Sequence, residues 1–95
     1  MKTELIVIDE YIQHADIEPN FIHLLEENGL IHIQIIENKR FLDTEELIEL
    51  ERYARLYYDL SINIEGIDVI RHLLGRIDKL QNEMKSLRSR LRLFE

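Results

Sequence analysis

A mainly α fold, with a small β-hairpin and a long C-terminal coiled-coil helix, is predicted by three features of this 95-residue chain. Ile70, Leu73, Ile77, Leu80, Met84, Leu87, Leu91 and Phe94 step by alternating three and four residues without a miss. Between Leu30 and Ile36 the apolar period falls to two. Elsewhere apolar residues recur at helical spacing behind capping residues.

Taken in order, Leu5 to Ile8 is an extended start, and a first helix follows from Asp9 to His14. Ala15-Asp16 is a turn. Pro19 opens a second helix, because its missing N–H is not needed at the first helical position. That helix runs to Asn28 and ends at Gly29, a residue suited to a left-handed C-terminal cap. Phe21, Ile22, Leu24 and Leu25 form its apolar surface. In Leu30–Ile36, Ile31, Ile33 and Ile35 alternate with His32 and Gln34, the pattern of a strand with one face buried. Glu37-Asn38-Lys39 turns the chain, and Arg40 to Leu42 returns as a second strand. Asp43-Thr44-Glu45-Glu46 opens a third helix with a capping-box variant. Leu47, Leu50, Ala54 and Tyr57 line its inner face. Asn63 caps the fourth helix, Ile64 to about Phe94. Gly66 and Gly75 lie inside it, and each points to close packing or a bend, since glycine costs roughly 1 kcal/mol against alanine there.

A seam averaging about 3.5 residues per repeat is narrow and needs another helix to cover it. The rest of the chain is too short to supply one of equal length, so the seam predicts a homodimer. The competing reading, a long core helix packed within the monomer, fits less well with flanks that are polar or charged almost throughout.

Charge divides the chain. Residues 1–60 hold five Lys/Arg against fourteen Asp/Glu, net −9, while residues 61–95 hold seven against five, net +2. An acidic body repels phosphate and attracts a basic protein surface; solubility alone is the other account. With no cysteine there is neither a disulfide framework nor a thiolate metal site. The N-terminus lacks the basic and long apolar segments of a signal peptide, and no stretch is long enough to span a bilayer. The expectation is a soluble cytoplasmic protein without membrane contact.

No enzyme chemistry is legible. His14, His23, His32 and His72 show no i,i+3 or i,i+4 pairing, so no metal site is expected. The acid pairs at Glu26-Glu27, Glu45-Glu46 and Glu49-Glu51 read as solvated helix faces. There is no phosphate loop and no nucleophile motif, and no cofactor is expected. Tyr57 reads as core. Tyr53 and Tyr58 stand between core and interface anchor.

Helix, turn, helix, then a hairpin, is the winged-helix order. From Asp9 to Leu74 the chain resembles the MerR-type winged helix. The resemblance is carried by Glu26-Glu27-Asn28-Gly29-Leu30-Ile31, by Arg40-Phe41-Leu42-Asp43-Thr44-Glu45-Glu46-Leu47, and by Leu60-Ser61-Ile62-Asn63-Ile64-Glu65-Gly66-Ile67. Residues 1–74 then read as a MerR-like winged-helix domain, and residues 64–95 as a dimerisation helix continuous with it. MerR regulators usually carry Arg-Tyr-Tyr-Glu before the glycine, where this chain has His23-Leu24-Leu25-Glu26. His23 is a poor substitute for a phosphate-gripping Arg, and the leucines offer phosphate no hydrogen bond. Nucleic acid is therefore not the expected partner, although the wing keeps Lys39-Arg40. The resemblance also implies an antiparallel dimer, with Glu83 meeting Arg90 across the axis. A parallel pair would instead set Glu83 against Arg88 and Arg90 against Glu95.

A more specific resemblance is to the CbpM family of chaperone modulators. It runs through Arg52-Tyr53, Leu56-Tyr57-Tyr58-Asp59-Leu60-Ser61-Ile62-Asn63, Glu65-Gly66-Ile67-Asp68-Val69-Ile70, Ile77-Asp78-Lys79-Leu80-Gln81-Asn82-Glu83 and Leu87-Arg88-Ser89-Arg90-Leu91. It implies an adaptor that binds the J-domain of a DnaJ/CbpA-type co-chaperone and inhibits its action with Hsp70. Charge density picks out Glu26, Glu27, Glu45, Glu46, Glu49 and Glu51 to steer a basic partner. Leu24 and Tyr58 are the candidate apolar anchors. The other readings are a MerR-type DNA-binding transcriptional regulator and a plain dimerisation module.

Overall fold

The N-terminal residues join the hairpin rather than leading into it. The computed structural model describes residues 4–94. Its elements are β1 Leu5–Val7, α1 Ile8–Ala15, α2 Pro19–Glu27, β2 Ile33–Ile36, β3 Lys39–Asp43, α3 Thr44–Ala54 running into a π-helical segment Arg55–Asp59, and α4 Ile64–Phe94. The wing is a three-stranded antiparallel sheet of order β1-β3-β2, not the two-stranded hairpin expected. Ile6 lies opposite Leu42, and the Thr44 N–H extends the pairing to the Glu4 carbonyl at 2.9 Å. An unpaired edge of β3 is thereby satisfied, and this local sequence does not foretell it.

The strand expected over Leu30–Ile36 shortens to β2 Ile33–Ile36. Leu30 and Ile31 are buried in the connection before it, while Ile35 is 72% exposed. The alternating face is covered only near the body, because the hairpin projects beyond the core. Its turn has two residues, Glu37 and Asn38, at φ 50° and 64°. Two successive left-handed residues match the twist of a tight hairpin. Lys39, expected in the turn, begins β3.

The caps are where the sequence places them. Gly29, at φ 71°, ends α2 in a Schellman motif, with the Leu30 N–H on the Leu25 carbonyl at 2.8 Å and the Gly29 N–H on the Glu26 carbonyl at 3.0 Å. Asp43 caps α3 by accepting from the Glu45 N–H at 3.2 Å. Asn63 Oδ1 accepts the Gly66 N–H at 2.8 Å. At Gly66 a Cβ would lie 2.8 Å from Ile62 Cγ2, whereas at Gly75 it would meet nothing within 4 Å. Close packing thus explains Gly66 and not Gly75.

One core gathers α1, α2, α3 and the start of α4. Ile8, Phe21, Ile22, Leu25, Leu42, Leu50 and Ile67 are all but fully buried in it. Tyr53 is core, at 3% exposure. Where α3 widens, Tyr57 and Tyr58 both reach Phe21, with ring centroids at 4.6 and 5.3 Å. Adjacent residues on a regular α-helix point about 100° apart, and the wider π turn brings both rings to one neighbour. From Arg71 onward every residue of α4 through Phe94 is exposed. No helix among the described residues is long and apolar enough to cross a membrane.

Candidate functional site

The second helix of the winged-helix unit is held by its buried side. Phe21, Ile22 and Leu25 point into the core, and Leu24 packs half-buried at its margin. The outward residues are Asn20, His23, Glu26 and Glu27. This face carries two carboxylates and no Lys or Arg. On the wing Lys39 is exposed, but the Arg40 guanidinium donates to Asp9 Oδ1 at 2.6 Å. A cation committed to an internal carboxylate has little charge left for phosphate.

The acidic residues of α3 fall into different environments. Glu45 is exposed in the first turn. Glu46 does not reach back to close a capping box. Its Oε1 accepts the His32 backbone N–H at 3.1 Å and lies 2.9 Å from His32 Nδ1, tying α3 to the start of β2. Glu49 lies 3.6 Å from Arg52. Glu46, Glu49, His32, Arg52, Leu74 and Asp78 help line a groove of about 670 Å³ between α3 and α4. Tyr58 stands apart, on a second hollow of about 420 Å³ with Tyr11, Asp16, Glu51 and Asp59. Its ring is 39% exposed, and its hydroxyl accepts the Glu18 N–H at 3.0 Å. The structure therefore brings Glu46 and Glu49 together, and leaves Tyr58 on another surface. Sequence pattern alone does not single out Arg52; its i,i+3 spacing to Glu49 signals their ion pair but not the groove they line. His32 had no such signal, because its partner is fourteen residues away.

Two tyrosines are electrostatically displaced. Burial raises the Tyr11 phenol above its ordinary 10.0, and the charge of Glu51 and a hydrogen bond to it add to this. Burial raises Tyr53 as well, with Glu49 next in importance. Both are neutral at physiological pH. Among the described residues no group of three or more His, Asp or Glu is placed to hold a metal ion.

The heptad seam lies open. Ile70 is half-buried against the body, but Leu73, Ile77, Leu80, Met84, Leu87 and Leu91 are each 49–63% exposed and Phe94 is 89% exposed. The reading of α4 as a core helix packed within the monomer does not hold beyond Ile70. Glu95, expected to pair with Arg90 in a parallel dimer, lies outside the described residues.

A family model described as MerR HTH family regulatory protein matches residues 6–89. The chain belongs to that family. Its match takes in both the winged-helix elements and most of α4, so the exposed helix is part of the MerR pattern. Searches of curated proteins and of solved structures each found no match.

Proposed function

We propose that this MerR-family chain is a cytoplasmic, homodimeric adaptor that binds the J-domain of a DnaJ/CbpA-type co-chaperone and inhibits its work with Hsp70, as the CbpM resemblance implies. Residues 1–74 then form the partner-binding winged-helix unit and residues 64–95 the dimerisation helix. The observation that carries this reading is the outward face of α2. It presents Asn20, His23, Glu26 and Glu27 where a DNA reader needs cations. Such a face repels phosphate and favours a basic protein helix. Occupancy of that basic helix blocks the Hsp70 encounter without any chemistry.

The test is calorimetric titration with an isolated J-domain from the same organism at two salt concentrations. Affinity is expected to fall as salt rises, since exposed charges are screened. Glu26→Lys, Glu27→Lys and Glu45→Lys together alter exposed carboxylates and spare the Glu46–His32 bond. This variant should bind more weakly while folding normally. Absence of wild-type binding rejects the adaptor. Equal binding by variant and wild type keeps the partner and discards this face.

A second reading is a DNA-binding transcriptional regulator, in keeping with the family's description as regulatory. The adaptor reading expects duplex DNA to bind no better than about 10⁻⁴ M at physiological salt. A sub-micromolar, sequence-dependent shift in a gel assay would reverse the choice.

A further inference from the structure

The wing ends in a bare strand edge. In the order β1-β3-β2, β1 has three residues and runs straight into α1, while β2 forms the other edge with Gln34, Ile35 and Ile36 exposed. Folded proteins commonly blunt such an edge with a Lys, a Pro, a bulge or a covering segment. Ile33-Gln34-Ile35-Ile36 holds no charge and no Pro, and its register runs from Ile33–Leu42 to Ile36–Lys39 without a bulge. We propose that this edge is a strand-addition site for an extended segment of a partner protein, apolar at alternate positions and flanked by Lys or Arg.

The hairpin geometry fixes which backbone groups are on offer. A two-residue loop closes on a hydrogen-bonded pair, here Ile36 and Lys39, and antiparallel bonding alternates from there. Ile36 and Gln34 turn their N–H and C=O groups to β3. Ile33 and Ile35 turn theirs outward, two donors and two acceptors in a row. An added strand would satisfy these groups as β3 satisfies the others. The side chains of the same two residues set the apolar preference. They share a sheet face with the fully buried Leu42, but Ile33 is half-buried and Ile35 stands 72% exposed beyond the core. Apolar side chains at alternate positions of the incoming strand would lie beside both and carry the core outward.

Charge selects the flanks. At the tip Glu37 and Lys39 offset each other, and Arg40 is held by Asp9, so the net −9 of residues 1–60 sets the sign of the field. A second copy would also meet the edge, Gln34 opposite Gln34, but it sets one chain of net −7 against another. A segment with basic flanks is attracted instead. Four residues of pairing make a weak, quickly exchanging contact. It becomes effective when the segment belongs to a partner already held elsewhere on the chain, because tethering raises its local concentration. The edge works in this way whether or not that partner is a J-domain protein.

The probe is a capped peptide, Lys-Lys-Val-Thr-Val-Thr-Val-Lys-Lys, added to the isotope-labelled full chain and followed by amide hydrogen exchange. Without peptide, the Ile33 and Ile35 amides should exchange faster than those of Gln34 and Ile36. Saturating peptide should slow Ile33 and Ile35 by about fivefold or more, the scale of one net hydrogen bond, and leave Gln34 and Ile36 unchanged. Binding should weaken as salt rises and when the four Lys are replaced by Glu. Ile35→Pro removes an outward donor and spares the bonds to β3, so it should weaken binding by about fivefold. A peptide with Pro for its central Val tests the pairing with the protein unaltered, and should bind more weakly still. Unchanged exchange at Ile33 and Ile35 at every peptide concentration, or equal binding of the Pro or Glu peptide, would overturn the proposal. Slowing that follows the chain's own concentration without peptide would show the edge covered by a second copy, and would overturn it equally.

Discussion

Replacing each helical glycine of α4 by alanine should have opposite effects at the two sites. In a helix interior Gly→Ala is normally stabilising by about 1 kcal/mol. Gly75 meets that condition, since its added Cβ finds nothing within 4 Å. At Gly66 the new Cβ would lie 2.8 Å from Ile62 Cγ2 and 3.0 Å from Asn63 Oδ1, the atom that caps the helix. That oxygen already accepts the Gly66 N–H at 2.8 Å, so moving it away weakens the cap. A lost cap costs about 1 kcal/mol, and forcing an extra methyl into a packed site costs about 1–3 kcal/mol. After the propensity gain, Gly66→Ala should destabilise the fold by about 1–3 kcal/mol, while Gly75→Ala should stabilise it by about 1 kcal/mol. For a chain of this size each kcal/mol moves Tm by roughly 4–8 °C. Thermal and urea melts of the two variants, at equal chain concentration because a dimer's stability depends on it, measure the split. A Gly66→Ala protein as stable as the wild type would refute the reasoning about Ile62 and the cap.

Tyr58→Phe keeps the ring against Phe21 and removes the acceptor for the Glu18 N–H; it should cost about 1 kcal/mol in urea unfolding, and no loss would show that water replaces the hydroxyl freely. Leu80→Asp with Leu87→Asp should yield monomers in sedimentation, since both sit in the exposed seam, and an undisturbed dimer would remove the seam from the interface. Tyr11 and Tyr53 titrate higher folded than unfolded, so the folded state holds protons that the unfolded state has released. Their contribution is therefore complete below pH about 10 and is lost as pH rises through the folded values. Tyr11→Phe should flatten that alkaline decline, and an unchanged pH profile would show that Tyr11 does not cause it.

Local chemistry made much of this chain legible. Pro19, Gly29, Asp43 and Asn63 act on neighbours within about five residues, and they sit at helix ends as the sequence predicts. The seam is equally local in origin, because a repeat of three and four needs only the geometry of one helix to emerge as a stripe. The acidic faces were legible as composition but not as a site. Glu46 is spent on His32, Arg40 is spent on Asp9, and Tyr58 lies on a different hollow from Glu49.

Those departures share a physical cause. A sequence determines what a segment does with its own backbone and with side chains one turn away. It does not say which distant group will arrive to satisfy what is left over. The recruitment of Leu5–Val7 to β3, the widening of α3 that brings Tyr57 and Tyr58 to Phe21, and the exposure of Ile35 beyond the core depend on contacts between elements well apart in the chain. By itself the sequence determined the helices, their caps and the apolar seam. The tertiary structure decided which charges remain free, because each pairing is settled only when the elements carrying the two groups have packed.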